Sequence, residues 1–250
     1  MPIEIDSLLT LPDSAVETLL AEFKKFWTLR ENFSGRGFTF KRGMLMWGPP
    51  GSGKTSAIWQ MTQALVTLHR GVVVFIEDPH LATTCVGMLR RIEPDRPMIT
   101  IMEDLDALVS RYGDHGFLAL LDGETQISNV VHVATTNYPE YLDRRFVDRP
   151  SRFDTIMRVG MPSADARRVY FHAKEPSLDA ETLERWVDRT EDYSIAHLRE
   201  VIIAIKCFGQ SEDAVFNRMD DMRQSKLESD GFGGQRNNVG FLSQARQVRR

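Results

Sequence analysis

The sequence predicts an α/β fold: a parallel-sheet αβα core followed by a small all-helical lid. Three observations predict it. Short β-branched runs alternate with helical stretches through the first two thirds of the chain. A glycine-rich octapeptide, Gly48 to Thr55, lies between such a run and a helix. After Pro162 the alternation stops and only helical periodicity remains.

The elements can be justified in order. Ser14-Ala-Val-Glu17 forms a capping box behind Pro12 and Asp13, and Val16, Leu19, Leu20, Phe23 and Trp27 recur at helical spacing. Gly35 and Gly37 end that segment. A strand at 43–47 runs into the glycine-rich loop, and a helix at 56–68 follows it. Residues 72–76 form a continuously apolar run of the kind a buried parallel strand shows. A helix is expected at 83–92. A third strand at 98–102 ends in Glu103-Asp104-Leu105-Asp106, and a helix at 117–121 closes on Asp122-Gly123. A fourth strand at 130–134 ends in Thr135-Thr136-Asn137. Helices are then expected at 163–174, 179–190 and 194–208, with a charged helix at about 212–228. The divisions that follow are an N-terminal helical segment 1–34, the core 35–161, the lid 162–210, and a C-terminal helix with a tail 211–250. Residues 231–250 hold four glycines and four arginines and no acid, which reads as flexible and basic.

Composition narrows the function classes. The 250 residues carry 31 Lys+Arg against 35 Asp+Glu, a net charge of −4, which excludes a generally basic nucleic-acid binder. Two cysteines, Cys85 and Cys207, make neither a disulfide framework nor a zinc site. The longest apolar runs are about five residues, against roughly 20 for a membrane span. The opening MPIEIDSLLT has no basic region ahead of an apolar stretch. The expectation is a cytoplasmic protein with no membrane association.

The chemistry is concentrated in two motifs. Gly48-Pro49-Pro50-Gly51-Ser52-Gly53-Lys54-Thr55 fits G-x-x-x-x-G-K-[ST], and Ser56 opens the helix behind it. Glycines allow backbone N–H groups to turn around phosphate oxygens, Lys54 offers charge to the β- and γ-phosphates, and the Thr55 hydroxyl is a Mg²⁺ ligand. The second motif is the buried strand ending in Glu103 and Asp104, carboxylates suited to holding the Mg²⁺ shell and polarising water. Together they specify ATP and Mg²⁺ as cofactors of a P-loop NTPase core.

From here the chain resembles the AAA+ ATPases. The resemblance is carried by RGMLMWGPPGSGKTS at 42–56, Glu103 to Asp106, FLALLDG at 117–123, ATTN at 134–137 and LDRRFVDRPSRFD at 142–154, and it covers roughly residues 10–210. Phe40-Lys-Arg-Gly43, the Glu-Asp order, the Thr-Thr-Asn strand end and Val159-Gly160 are similar to the branch containing the mitochondrial Rieske-protein translocase, without its membrane helix. The resemblance implies that Asn137 orients the lytic water and that Arg149 and Arg152 are arginine fingers serving a neighbouring subunit's ATP. Arg144 and Arg145 read as solvated. Glu103 falls on the Mg²⁺ position and Asp104 on the base, the reverse of the commonest order. Ser194 to Arg199 reads two ways: Arg199 contacts the γ-phosphate, or Ala196 holds that position and Arg199 lies on a solvated face. We favour the second. No aromatic-hydrophobic-Gly loop is found in DPHLATTCVG at 78–87, and Trp47 and Trp59 read as core.

The resemblance implies ATP hydrolysis in a ring-shaped homo-oligomer, commonly a hexamer, coupled to remodelling a macromolecule, with protein the first expectation. The alternatives are a DNA-replication accessory ATPase that engages nucleic acid, and a nucleotide-binding scaffold with little hydrolysis.

Overall fold

The computed structural model describes residues 9, 11–12, 15–122 and 127–232. The capping residue Ser14, Gly123 and the tail from 233 onward lie outside the described residues. Two helices, α1 (Ala15–Phe26) and α2 (Arg30–Ser34), precede β1 (Lys41–Trp47). The chain continues through α3 (Lys54–His69), β2 (Val72–Phe75), α4 (Pro79–Ile92), β3 (Met98–Met102), α5 (Leu105–Tyr112) and α6 (His115–Asp122). Then come β4 (Val130–Thr136), a 3₁₀ turn (Pro139–Tyr141), α7 (Arg144–Val147) and β5 (Thr155–Arg158). The five strands form one sheet in the order β2-β3-β4-β1-β5, and every pairing is parallel.

Side chains alternate across the sheet, and the two faces bury separate cores. On one face Met44, Met46, Ile99, Ile101, Val131 and Val133 pack against Leu19 and Phe23 of α1 and Ile58 and Met61 of α3. On the other, Leu45, Met102 and Ala134 pack against Leu105 of α5, Phe117 and Leu121 of α6, and Phe146 of α7. This is the αβα sandwich that the alternating pattern predicts.

Three more helices, α8 (Ala164–Lys174), α9 (Ala180–Arg189) and α10 (Ile195–Ile202), complete a compact unit spanning Met1–Ile202. The first two have side-chain caps: Ser163 accepts from Ala166 N–H at 3.1 Å, and Asp179 from Thr182 N–H at 2.8 Å. The second unit, Ile203–Arg250, opens with a π-helical turn (Ile203–Cys207) and continues as α11 (Glu212–Phe232). The helix expected as one piece at 194–208 is therefore two elements, and α11 extends past the 228 expected for it.

Other differences have local causes. β2 is half-buried, not fully buried as its apolar run suggests, because it is an edge strand with one neighbour. β5 went unrecognised in the sequence. It is four residues long on the opposite edge, with Ile156 and Arg158 exposed, so no apolar run announces it. α5 was also missed, because the acids that end β3 double as the acidic first turn of a helix. α4 begins at Pro79 and not at 83: Asp78 caps it, accepting from His80 N–H at 2.8 Å, and proline is favoured in the first turn.

His132 lies in the middle of the sheet, opposite Gly43 of β1 and Thr100 of β3. Its Nδ1 is 2.7 Å from the Thr100 hydroxyl. Burial, with the cations Lys41 and Arg90 adding to it, pushes the imidazole down to about 3. An unfolded histidine titrates near 6.5, so between those values the unfolded chain holds a proton that the native chain refuses. Stability should fall as pH falls from about 6.5 toward 3, with His132 contributing about 1.4 kcal/mol per pH unit. His132→Asn should flatten the pH dependence of the urea midpoint between pH 7 and 4 by about that amount. An unchanged slope would assign the proton uptake elsewhere.

Candidate functional site

The site is built at the carboxyl ends of β1, β3 and β4. β1 ends at Trp47, opposite Thr136 of β4, and Gly48 N–H donates to Thr136 O at 3.3 Å. The chain then passes so close to the end of β5 that a methyl group on Gly48 would lie 2.1 Å from Val159 O. Glycine is required there by space. Gly51 has φ +75°, the left-handed region that glycine enters without cost. The loop closes on α3, whose first residue is Lys54. That side chain is 7% exposed. Its ammonium donates to Gly48 O at 2.7 Å and Pro49 O at 2.9 Å. Burial lowers the Lys54 pKa, and the carboxylates Asp104 and Asp106 oppose that shift. Ser52, on the same loop, is buried with a hydroxyl that has no hydrogen-bond partner.

The two acids after β3 have different partners. Glu103 Oε1 accepts from the Thr55 hydroxyl at 2.9 Å. Asp104 Oδ1 accepts from Asn137 Nδ2 at 3.1 Å. Glu103 is thus joined to the phosphate-loop helix, and Asp104 to the end of β4. Asp104 has φ +47° and ψ 54°, a conformation that costs a non-glycine residue energy and that Asp tolerates better than most. Its amide donates to the Thr135 hydroxyl at 3.1 Å, which holds the backbone there. Thr136 supports the next acid, donating to Asp106 Oδ1 at 2.6 Å. Neither threonine had been given a role. Their signal was the Thr-Thr-Asn strand end itself, whose hydroxyls face the acids of the neighbouring strand.

A cleft of about 380 Å³ joins these parts, within the range of small-ligand sites. Its walls are the phosphate loop with Ser56, then Glu103, Asp104, Thr135 and Asn137, and on the lid side Ile195, Ala196 and Arg199 of α10. Arg199 therefore faces the cleft. It is also exposed, as the preferred sequence reading expects, and Ala196, which that reading places at the sensor position, lines the cleft beside it. Helical spacing does it: Ala196 and Arg199 are three apart and share one face of α10.

The two expected fingers sit differently. Arg149 is exposed. Arg152 is 8% exposed and turned into its own chain. Its guanidinium donates to Arg145 O and lies 3.9 Å from Asp122. The expectation that both arginines project toward a neighbour does not match this placement, because Arg152 is held by partners of its own chain. Arg145 pairs with Asp114 and Asp143, consistent with a solvated role. Trp47 and Trp59 stay outside the cleft walls, against Arg158 and Phe75 respectively. Residues 79–87, where a threading loop would fall, are the first turns of α4.

The donor set fits Mg²⁺. Thr55 and Glu103 offer hard oxygens side by side, and among the described residues no cluster of three His, Cys, Asp or Glu forms a closed cage. Mg²⁺ commonly takes one or two protein oxygens and completes its shell with phosphate and water. When bound, it would neutralise charge on the phosphate oxygens.

A phosphate loop between strand and helix, a polar residue ending the adjacent strand and two acids just past the strand beyond it define a P-loop nucleoside triphosphatase. Residues 44–161 match the model of the ATPase family associated with various cellular activities (AAA). Over this stretch, a little under half of its length, the chain is similar to the AAA+ ATPases. Its relatives include Protein SAV of Sulfolobus acidocaldarius, 28% identical over 200 residues, covering 70% of this chain and 25% of that one. The proteasome-activating nucleotidase of Methanococcus maripaludis is 27% identical over 78% of this chain and 52% of its own. The ATP-dependent zinc metalloprotease FtsH of Mycoplasma mobile is 27% identical over 79% of this chain and 31% of its own. The chain thus spans a quarter to about half of the length of these relatives. No described helix is long and apolar enough to cross a membrane.

Thr135 gives the site its most direct test by geometry. Thr135→Val keeps the shape and removes the acceptor of the Asp104 amide. A left-handed Asp104 that loses this bond should relax, moving its carboxylate. We expect ATP affinity within about two-fold of wild type and a hydrolysis rate lowered by about ten-fold, the scale of one lost hydrogen bond. Calorimetry and phosphate release measure the two separately.

Proposed function

We propose that this chain hydrolyses Mg²⁺-ATP in the cleft and that hydrolysis drives remodelling of a protein substrate by a homo-oligomeric ring, with six subunits the expected number. The observation that carries the reading is the pair of hydrogen bonds Thr55–Glu103 and Asn137–Asp104. They separate the two acids into two tasks. Glu103, beside the Thr55 hydroxyl, takes the metal side. Asp104, beside Asn137, takes the water, accepting its proton as it attacks the γ-phosphoryl group. Asn137 orients that water. Lys54 exchanges its loop carbonyls for β- and γ-phosphate oxygens. The relatives named for proteasome activation and ATP-dependent proteolysis support a protein as the substrate.

Arg149 is the finger we assign to the neighbouring subunit's ATP. Arg152, buried behind it, holds the loop: its amide donates to Arg149 O at 3.0 Å. A second reading, a DNA-replication accessory ATPase, is favoured by one observation, the placement of Arg199 on the cleft wall. Stimulation of ATP hydrolysis by DNA, set against stimulation by an unfolded protein, distinguishes the two.

The nucleotide assignment has a direct test. Lys54→Ala should lose most of its ATP affinity, because residues 48–55 carry no other cation. Asp104→Asn should bind ATP normally and stall, since an amide accepts no proton. Unchanged affinity in the first variant, or wild-type turnover in the second, would remove the corresponding role.

The ring is tested by mixing. Arg149→Ala keeps a sound cleft and Asp104→Asn keeps a sound finger. Neither alone should hydrolyse ATP at more than about 1% of the wild-type rate, given the 10³–10⁵ that such fingers contribute. Their mixture should recover activity wherever an intact cleft meets an intact Arg149. A mixture as inactive as its parents would exclude action between subunits.

A further inference from the structure

The first turn of α10 is attached to the middle of the phosphate loop. Ile195 N–H, one of the amides a helix start leaves without an internal partner, donates to Gly51 O at 3.2 Å. On the other side of the same peptide, Ser52 N–H donates to Pro49 O at 3.3 Å. The peptide joining Gly51 and Ser52 is therefore gripped at both ends, once by the lid and once by the loop itself. A planar trans peptide held at its carbonyl and its amide has no freedom to rotate.

The residue before Ile195 controls that grip. Ser194 is 1% exposed and packs directly on Gly51. A methyl on Gly51 would fall 2.7 Å from Ser194 Oγ and 3.0 Å from its Cβ. The Ser194 hydroxyl lies 2.6 Å from His197 Nδ1 and accepts the His197 N–H at 3.3 Å. The imidazole tautomer sets which of Ser194 Oγ and His197 Nδ1 donates in the shorter bond, and the oxygen accepts the amide in either case. Both bonds run to His197, so the Ser194 rotamer is set by His197. The pair lies within one turn of Ala196 and Arg199, the two residues that α10 presents to the cleft.

We propose that Ser194 and His197 are positioning residues for nucleotide binding, locking the lid helix onto Gly51 so that the phosphate loop is preformed in its binding shape. The proposal rests on the assignment of the cleft to ATP. Neither side chain is given contact with the nucleotide. They act through the Gly51–Ser52 peptide, so their effect falls on binding and not on the chemical step. An interaction made equally in the bound ground state and the transition state changes KM and leaves kcat in place.

The test uses the full chain and Mg²⁺-ATP. Ser194→Ala removes the hydroxyl. His197→Leu removes the ring nitrogen that bonds it, and His197→Asn restores a polar atom near the Nδ1 position. Ser194→Ala and His197→Leu should each raise KM and Kd about five- to ten-fold, the scale of one hydrogen bond. kcat should stay within about two-fold, and His197→Asn should return the affinity to within about two-fold of wild type. Melting temperatures are measured alongside. If Ser194→Ala does not fold, the comparison of Leu with Asn at 197, a half-buried position, decides alone. The proposal is overturned if all three variants bind as wild type does, if Asn at 197 is as weak as Leu, or if kcat falls while KM is unchanged. Wild-type ATP affinity in Lys54→Ala would overturn the ATP assignment itself, and the positioning role with it.

Discussion

The register of three parallel strands is the constraint on which the rest of the site depends. Trp47 stands opposite Thr136 and Met102 opposite Ala134, so β1, β3 and β4 end within two residues of one another. Past those ends, Gly48 leaves β1, Glu103 and Asp104 leave β3, and Asn137 leaves β4. Because the pairing is parallel, all three departures occur at the same edge. A slip of one residue in β4 would turn Thr135 from the Asp104 amide and carry Asn137 out of reach of the Asp104 carboxylate. The apolar cores on both faces oppose such a slip, since it would exchange the side chains of Val131 and Val133 with their neighbours across the sheet.

Electrostatics follows from that convergence. A lysine buried to the extent of Lys54 is expensive unless it has partners. Here two carbonyls of its own loop bind it, and Asp104 and Asp106, just past the end of β3, act as counter-charges. The carboxylates are in turn tied to Thr55, Asn137 and Thr136. Most members of this network thus carry a bond to a different strand or loop. The phosphate loop and the acids past β3 are set by one another and not by α3 alone.

Much of this was legible in the residues. The octapeptide at 48–55 named both its flanking elements and its ligand, because glycine spacing and a lysine ahead of threonine have few other uses. β3 and β4 were legible because central parallel strands are apolar throughout. The edge strands were not, since half of each faces solvent and the apolar run shortens or blurs: β2 looked more buried than it is, and β5 gave no signal. Asn137 was legible by position. Thr135 and Thr136 were not, because a threonine in a strand is ordinarily a β-former, and only the neighbouring strand's acids make its hydroxyl matter. Arg199 and Arg152 show the same limit from both sides. Each is an arginine in a helical or loop context where solvation is the usual outcome, yet one faces the cleft and the other is buried. Tertiary contacts decide both.

Gly43 links the loop bearing Arg149 to the cleft. Its position two residues into β1 looks unremarkable in sequence, yet a methyl there would lie 1.7 Å from Arg152 O. Asp154 closes the contact from both directions: its amide donates to Gly43 O at 3.1 Å, and its carboxylate accepts from Gly43 N–H at 3.3 Å. Its other oxygen is 3.0 Å from Arg42 Nε. The loop bearing Arg149 is therefore sewn to the strand whose far end becomes the phosphate loop, five residues away. A strand in the middle of a packed sheet moves as a body. Whatever displaces the Arg149 loop at one end of β1 must either break these bonds or displace Gly48 at the other. Under the proposed assignment of Arg149 to a neighbour's ATP, that loop and the phosphate loop of this chain share a single rigid element, which is the mechanical requirement for one site to respond to the next.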